Sequence, residues 1–182
     1  MAVALSVGVQ RMVRSDVGSA GVAFTIDPES GNDQVIYITS AWGLGENIVQ
    51  GAVNPDEFYV FKAAIGRFPR TMIHRRMGSK EHKMIYSENR EFPLVNVETT
   101  QAERGEFSLS DDDVQTLGAW CLHIEKHYAM PMDVEWARDG LSNELFIVQA
   151  RPETLFRRNH VLAIKEYHLR TCAKPLCKGK AV

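Results

Sequence analysis

The residues with the clearest chemical potential lie in the stretch 133–154, which predicts a β-hairpin. Two apolar-rich runs flank a turn-rich spacer that contains an Asp-Gly pair. Because side chains alternate across a strand, Asp133 and Glu135 share one face of the first run, and Gln149 and Arg151 share one face of the second. If odd positions pair with odd positions, all four side chains converge on one face of the hairpin.

This combination of side chains is suited to a metal ion and a polyphosphate. Carboxylate and amide oxygens are ligands for Mg²⁺, which proteins usually hold through one or two carboxylates together with substrate phosphates. A guanidinium such as that of Arg151 matches a phosphate in a two-pronged fork. The alternative, which spacing alone leaves open, is an exposed sheet face with a cross-strand salt bridge.

A second candidate segment is Gly43-Leu-Gly45, which follows a predicted strand and precedes a short apolar helical turn. Glycines let the backbone approach a ligand closely and leave N–H groups free for an anion. The segment lacks the third glycine of a dinucleotide fingerprint and the Gly-Lys-Ser/Thr of a P-loop, so a plain strand-to-helix turn remains the alternative. Glu46 could be a ligand, or an acid that offsets the helix dipole.

The elements that must position these residues are mostly predicted strands, over residues 3–13, 21–27, 34–40 and 57–62. Residues 69–100 predict a meander of shorter strands broken by polar turns. The clearest helix runs from Ser110, a favourable N-cap followed by three aspartates, to about Tyr128. Within it, His123 and His127 lie four residues apart, but the glutamate between them is turned about 200° from His123, so two surface histidines are favoured over a metal site.

Composition is that of a globular protein: 45% of the 182 residues are hydrophobic and 24% are charged. The formal net charge of −2 argues against a nucleic-acid-binding surface. No apolar run is long enough to cross a bilayer, so no membrane partner is expected. The three cysteines, Cys121, Cys172 and Cys177, are scattered without a zinc-binding spacing, which fits a reduced, cytoplasmic setting.

Three segments together resemble the phosphoenolpyruvate synthase (pyruvate, water dikinase) family. They are Gln-Arg-Met-Val-Arg-Ser-Asp at 10–16 with Gly-Val-Ala-Phe-Thr at 21–25, Ser-Ala-Trp-Gly-Leu-Gly-Glu-Asn and the residues that follow at 40–58, and Asp-Val-Glu-Trp at 133–136 with Phe-Ile-Val-Gln-Ala-Arg-Pro-Glu-Thr at 146–154. The resemblance covers roughly residues 1–155. Pyruvate, phosphate dikinases and rifampicin phosphotransferases are similar in part and are the alternatives.

The resemblance implies an α+β fold: the C-terminal portion of an ATP-grasp domain, mostly antiparallel sheet with a few helices. It assigns residues 1–155 to that domain, 156–171 to a linker helix, and 172–182 to the truncated start of a phosphohistidine swivelling domain. An apolar strand at the first residues suggests that the chain starts inside a domain.

The resemblance also implies roles for individual residues. Glu135 and Gln149 look like the Mg²⁺-coordinating pair, with Asp133 beside them, and Arg151 looks like a catalytic phosphate clamp that also binds the nucleotide. Glu46 looks like a nucleotide-site carboxylate. Gln10, Met12 and Val13 look like the hinge beside adenine. The implied cofactors are Mg²⁺ and ATP.

The family's reaction makes phosphoenolpyruvate, AMP and phosphate from ATP, pyruvate and water. The expected partners are ATP, pyruvate, the missing half of the ATP-grasp domain, the swivelling histidine domain, the barrel domain, and a second copy of the chain. Six histidines are present, and none lies in the family's histidine motif. The expectation is an enzyme fragment that is inactive alone; the alternative is a non-catalytic ATP-grasp remnant that acts as a binding module.

Overall fold

The computed structural model describes residues 7–154, which form two antiparallel sheets and a few helices. The larger sheet has six strands in the order β4-β3-β2-β1-β7-β8. Its strands are β1 (Ser19–Phe24), β2 (Val35–Trp42), β3 (Asp56–Phe61), β4 (Met72–Arg76), β7 (Met132–Arg138) and β8 (Leu145–Pro152). A separate hairpin pairs β5 (His82–Tyr86) with β6 (Leu94–Glu98), and the helices are α1 (Glu46–Val49), α2 (Gln101–Gly105) and α3 (Asp111–Tyr128).

The hydrophobic core lies between one face of the six-stranded sheet and helix α3. Val114, Leu117 and Cys121 on α3 are fully buried, as their helical spacing requires. They pack in one cluster with inward-facing residues of β1, β2, β3 and β7, including Trp136. The predicted helix is therefore confirmed, with Ser110 as its N-cap in a capping box with Asp113. Among residues 7–154 no helix could span a membrane.

The opposite face of the six-stranded sheet, here called the open face, carries the polar residues of the β7–β8 hairpin. Asp133 is paired with Arg151, and Glu135 with Gln149, as the odd-with-odd register predicts. A register shift after Glu135 places Trp136 opposite Ile147, so both of these contribute to the core side of the hairpin. The α+β fold with a mostly antiparallel sheet is confirmed.

Two predictions about the strands were wrong. Residues 7–14 form no strand, although residues 3–13 are apolar and β-rich; Arg14 is hydrogen-bonded to the β7–β8 turn, and residues 3–6 lie outside the described part. Residues 69–100 are not one meander, because β4 pairs with β3 at the edge of the large sheet while β5 and β6 form their own hairpin. Helix α2, with its Thr100 and Glu103 capping box, was not predicted.

The predicted linker helix at 156–171 and the segment 172–182 lie outside the described residues. The other predicted strands and the helical turn after Gly45 are present, with ends that differ by a few residues. Alternation and turn residues therefore located the elements, whereas they did not assign the elements to sheets.

Candidate functional site

A cavity of about 840 Å³ opens at one end of the open face. Its size is within the range of small-molecule sites, roughly 300–1,000 Å³. Five parts of the chain line it: the segment Gln10–Ser15, Ala20 and Gly21 of strand β1, the loop and helix from Leu44 to Val49, strand β7 from Glu135 to Ala137, and the β7–β8 turn with the first half of β8. The cavity therefore exists only because the fold brings these parts together.

Two hydrogen bonds fix the first wall of the cavity, one between backbone groups and one to a side chain. The Gly140 N–H donates to the Arg14 carbonyl at 3.1 Å, and the Arg14 N–H donates to the Asp139 carboxylate at 3.1 Å. Position 140 must be a glycine, since a Cβ there would lie 2.0 Å from the Val17 carbonyl oxygen. The β7–β8 turn thus holds the predicted hinge segment 10–13 against the cavity.

Ion pairs and turn hydrogen bonds reinforce this wall. The Arg14 guanidinium donates to both oxygens of Asp16, at 2.8 and 2.9 Å, and this pair lowers the pKa of the Asp16 carboxyl. Asp139 accepts N–H bonds from Ser142, Arg14 and Leu141, which lower its pKa. Both carboxyls are therefore held in their charged forms at neutral pH.

The glycine loop, Gly43-Leu44-Gly45, forms the second wall by joining strand β5. The Leu44 N–H donates to the Met84 carbonyl at 2.9 Å, and Gly43 forms a parallel bridge to Met84. Gly43 has a φ of +84°, and a Cβ there would lie 2.5 Å from the Met84 carbonyl oxygen. Glu46 begins α1 directly after this loop, lines the cavity, and accepts a hydrogen bond from the Gln50 side chain at 2.8 Å.

The polar patch predicted on the hairpin is assembled, and two of its members already bind each other. Arg151 Nε donates to Asp133 Oδ2 at 2.7 Å, and Nη2 lies 2.7 Å from the same oxygen in a salt bridge. The Asp133 side chain is buried while that of Arg151 is 62% exposed. The hydrogen bond to Asp133, together with the charge of that carboxylate, raises the pKa of Arg151, which keeps the guanidinium charged. Glu135 and Gln149 lie beside this pair, opposite each other on β7 and β8.

These oxygens fit a magnesium ion that is shared with a phosphate ligand. Glu135 supplies a carboxylate and Gln149 an amide oxygen, which are hard ligands of the kind Mg²⁺ takes. Asp133 is occupied by Arg151, so it is placed to hold the guanidinium. Within residues 7–154 no cluster of three or more histidine, cysteine, aspartate or glutamate side chains is arranged for a metal, so an ion here would need oxygens from the ligand.

The structure brings most of the predicted site residues to one place. Gln10, Met12, Val13, Glu46 and Glu135 line the cavity. Asp133, Gln149 and Arg151 do not line it, but they continue from Glu135 along the same face of the hairpin. His123 and His127 are exposed on α3 and do not line the cavity, in agreement with two surface histidines.

Sequence reasoning missed several residues that form or hold the walls. Leu141, Phe146 and Val148 give the cavity an apolar side, and all three are exposed, from 38% to 69%. Arg14 and Asp139 tie the walls together. An Asp-Gly turn was recognised, but nothing in its spacing indicated that the turn would bind a segment 125 residues earlier in the chain.

Comparison with known proteins identifies the group to which this chain belongs. The family model described as "Pyruvate phosphate dikinase, AMP/ATP-binding domain" matches residues 1–170. The chain is a member of this family. It is 52% identical over 182 residues to the phosphoenolpyruvate synthase of Escherichia coli, a match that covers 99% of the chain and 23% of the relative.

Other relatives carry the same name. The phosphoenolpyruvate synthase of Helicobacter pylori is 56% identical over 160 residues, which is 84% of this chain and 20% of that protein. A probable phosphoenolpyruvate synthase of Methanocaldococcus jannaschii is 37% identical over 156 residues, covering 86% of this chain and 12% of that protein. The resemblance stated from the sequence is confirmed. The chain spans less than a quarter of the length of these dikinase relatives.

Proposed function

We propose that this chain is the nucleotide-binding part of a phosphoenolpyruvate synthase and that it binds ATP with Mg²⁺ in the cavity on the open face. The observation that carries the proposal is that one cavity is lined by residues from three sequence motifs that resemble the dikinase family. These residues are Gln10–Val13, Glu46 and Glu135. In this proposal the fold is the C-terminal portion of an ATP-grasp domain. Membership of the AMP/ATP-binding family supports the choice of nucleotide.

The chemistry of the walls orients the nucleotide. Met12, Leu141, Phe146 and Val148 give one side of the cavity apolar surface, which suits a purine base. The polar patch continues from Glu135 along the hairpin and suits the phosphates. We therefore place the base between the hinge segment and the β7–β8 turn, and the phosphates beside Glu135 and Arg151.

In this arrangement Glu135 and Gln149 hold the Mg²⁺. A bound Mg²⁺ neutralises charge on the phosphate oxygens during phosphoryl transfer. The part played by the chain is to present the two oxygens from neighbouring strands whose register is fixed by the sheet. Glu46 offers a further carboxylate on the opposite wall of the cavity.

Arg151 acts as the phosphate clamp, and Asp133 positions it. The guanidinium donates from Nε to Asp133 and has Nη2 beside the same oxygen, which leaves Nη1 for a phosphate oxygen. Because Asp133 is buried and Arg151 is mostly exposed, the carboxylate anchors one edge of the fork while the rest remains open to the ligand. A lysine could not make both contacts from one planar group.

The complete reaction belongs to the larger protein. We propose that residues 1–155 are the ATP-grasp part, 156–171 a linker helix, and 172–182 the start of a swivelling domain that carries the phosphorylated histidine. The phosphoryl group would pass from ATP to that histidine and then to pyruvate in a barrel domain. The names of the relatives favour the synthase over the phosphate-dependent dikinase.

Photoaffinity labelling with 8-azido-ATP tests the location of the nucleotide. We expect label on residues 10–14 and 141–148, with displacement by unlabelled ATP, because these walls flank the proposed base site. A second cavity of about 980 Å³, between residues 68–75 and the start of α3, serves as the internal comparison. Displaceable label at 68–75 instead would contradict the proposal.

A turnover assay tests whether the complete reaction requires domains other than this chain. The 182-residue chain should form no AMP in a pyruvate-dependent manner, since the proposed domain boundaries leave the transfer histidine and the barrel outside residues 1–182. Pyruvate-dependent AMP formation by the purified chain would overturn the fragment assignment.

A further inference from the structure

A buried ion pair outside the nucleotide cavity has no part in the proposed chemistry. Lys80 Nζ donates to Asp56 Oδ1 at 2.5 Å, and both side chains are completely buried. Burying two charges is costly, and such a pair persists only where its geometry and additional hydrogen bonds are good. Lys80 also adopts a φ of +42°, which a residue with a side chain seldom does. The local backbone is therefore held in this conformation by its surroundings.

The ion pair joins three loops to the start of strand β3. Asp56 Oδ1 also accepts from the Gly78 N–H at 3.0 Å, and Oδ2 accepts from the N–H and the hydroxyl of Ser108, both at 2.8 Å. Lys80 Nζ donates a second bond to the Gly78 carbonyl, and the Lys80 carbonyl accepts from the Thr99 hydroxyl. The loops before β5 and before α3 thus meet at one carboxylate, and the loop after β6 is bonded to the backbone of the paired lysine.

The β5–β6 hairpin begins two residues after Lys80 and leads directly to the cavity walls. Met84 on β5 holds the glycine loop through the Leu44 N–H and the Gly43 bridge. Tyr86, at the end of β5, lies 6.0 Å from the Arg14 guanidinium, on the wall that carries the hinge segment. On β6, Asn96 accepts a hydrogen bond from the Asn47 side chain of α1 at 2.7 Å. One hairpin therefore touches both walls.

We propose that Lys80 is a positioning residue for the nucleotide cavity: by anchoring the β5–β6 hairpin to Asp56, it fixes the glycine loop that places Glu46 on the cavity wall. This inference rests on the proposed nucleotide site. A two-stranded hairpin is marginally stable by itself, so its position depends on the anchor at its base. The core under α3 is formed by other residues and does not depend on the hairpin.

Hydrogen exchange of the Lys80→Met variant tests the inference without a nucleotide. We expect exchange at residues 43–50 and 82–98 to be faster by at least about a hundredfold, the lower end of the scale for breaking a buried pair, while the amides of α3 keep their protection. The matched control is Lys62→Met, because Lys62 is also a mostly buried lysine, paired with Glu125 at 2.6 Å, but it lies at the end of β3 against α3. It should leave residues 43–50 unchanged.

Nucleotide binding supplies the second measurement. Lys80→Met should weaken ATP binding about tenfold, or roughly 1.4 kcal/mol, and Lys62→Met should not. Lys80→Met leaves the buried Asp56 carboxylate unpaired, and the double variant Asp56→Asn/Lys80→Met removes that charge as well. The double variant replaces Lys80→Met in both measurements if Lys80→Met does not fold. Equal loss of protection in the loop and in α3, or an unchanged loop, would overturn the inference. If the wild-type chain binds no ATP, the proposed site fails, while the exchange comparison still tests the coupling.

Discussion

Replacing Gly43 with alanine tests how the glycine loop is held. Its φ of +84° belongs to the left-handed region, and an alanine Cβ would lie 2.5 Å from the Met84 carbonyl oxygen and 3.0 Å from the Met84 nitrogen. That carbonyl accepts the Leu44 N–H, so the substitution strikes the contact that attaches the loop to β5. Gly66 is the matched control, since its φ is +75° and nothing lies within 4 Å of its ideal Cβ.

The two substitutions share the backbone penalty and differ in the clash. An alanine in the left-handed region costs about 1–2 kcal/mol, and this applies to both variants. Overpacking against a neighbour adds about 1–3 kcal/mol, and this applies to Gly43→Ala alone. The difference corresponds to a gap in melting temperature of about 2–12 °C between the variants, at about 2–4 °C per kcal/mol for a chain of this size.

The assay combines thermal melting by circular dichroism with ATP binding on both variants. Gly43→Ala should melt below Gly66→Ala and bind ATP more weakly, because the loop can relieve the clash only by moving away from β5. Equal melting temperatures together with equal ATP affinities would refute the close approach of Gly43 to Met84.

Three further outcomes follow from the site and its surface. In a complete enzyme, Glu135→Ala should impair both metal-nucleotide binding and turnover. Arg151→Lys should lower single-turnover phosphorylation of the transfer histidine at least about a hundredfold, since arginine-finger groups contribute about 10³–10⁵ in rate. Near-normal phosphorylation by both folded variants would mean that the hairpin is only a structural element. The pKa of Asp139 is lowered in the folded chain, so its stabilising effect is present above the unfolded value of about 3.9 and is lost as the pH falls through the folded value. Asp139→Asn should therefore make the melting temperature fall less steeply below about pH 4. An unchanged dependence of the melting temperature on pH would count against the turn contact. The apolar residues around the cavity mouth should make the isolated chain self-associate in light scattering, whereas a sharply melting monomer would argue against this surface being an interface.

Local rules predicted the hairpin and the long helix because both are determined by neighbouring residues. Alternation fixed which side chains of β7 and β8 share a face, and the register confirmed the pairing of Glu135 with Gln149. The spacing of Val114, Leu117 and Cys121 fixed the buried face of α3. These patterns repeat within a few residues, so no tertiary information was needed.

The contacts that close the site could not be predicted, because they join distant parts of the chain. The apolar run before Arg14 predicts a strand, yet its described part forms no ladder, and the residue that follows it, Arg14, is bound to the turn at Gly140. Lys80 reads as a surface lysine among polar residues, and only the meeting of three loops buries it against Asp56. The same tertiary arrangement separates β4 from β5, which sequence alone merges into one meander.

The dependence of ATP binding on Mg²⁺ tests the central claim most directly. Isothermal titration of the wild-type chain should show tighter ATP binding with Mg²⁺ than with a chelator, and Glu135→Gln should abolish that difference because it removes the formal charge of the proposed ligand. Glu144→Gln is the control, since Glu144 also lines the cavity but lies in the β7–β8 turn, outside the polar patch of the hairpin. If Mg²⁺ strengthens ATP binding equally in Glu135→Gln and in the wild type, the metal–nucleotide site is not on this hairpin.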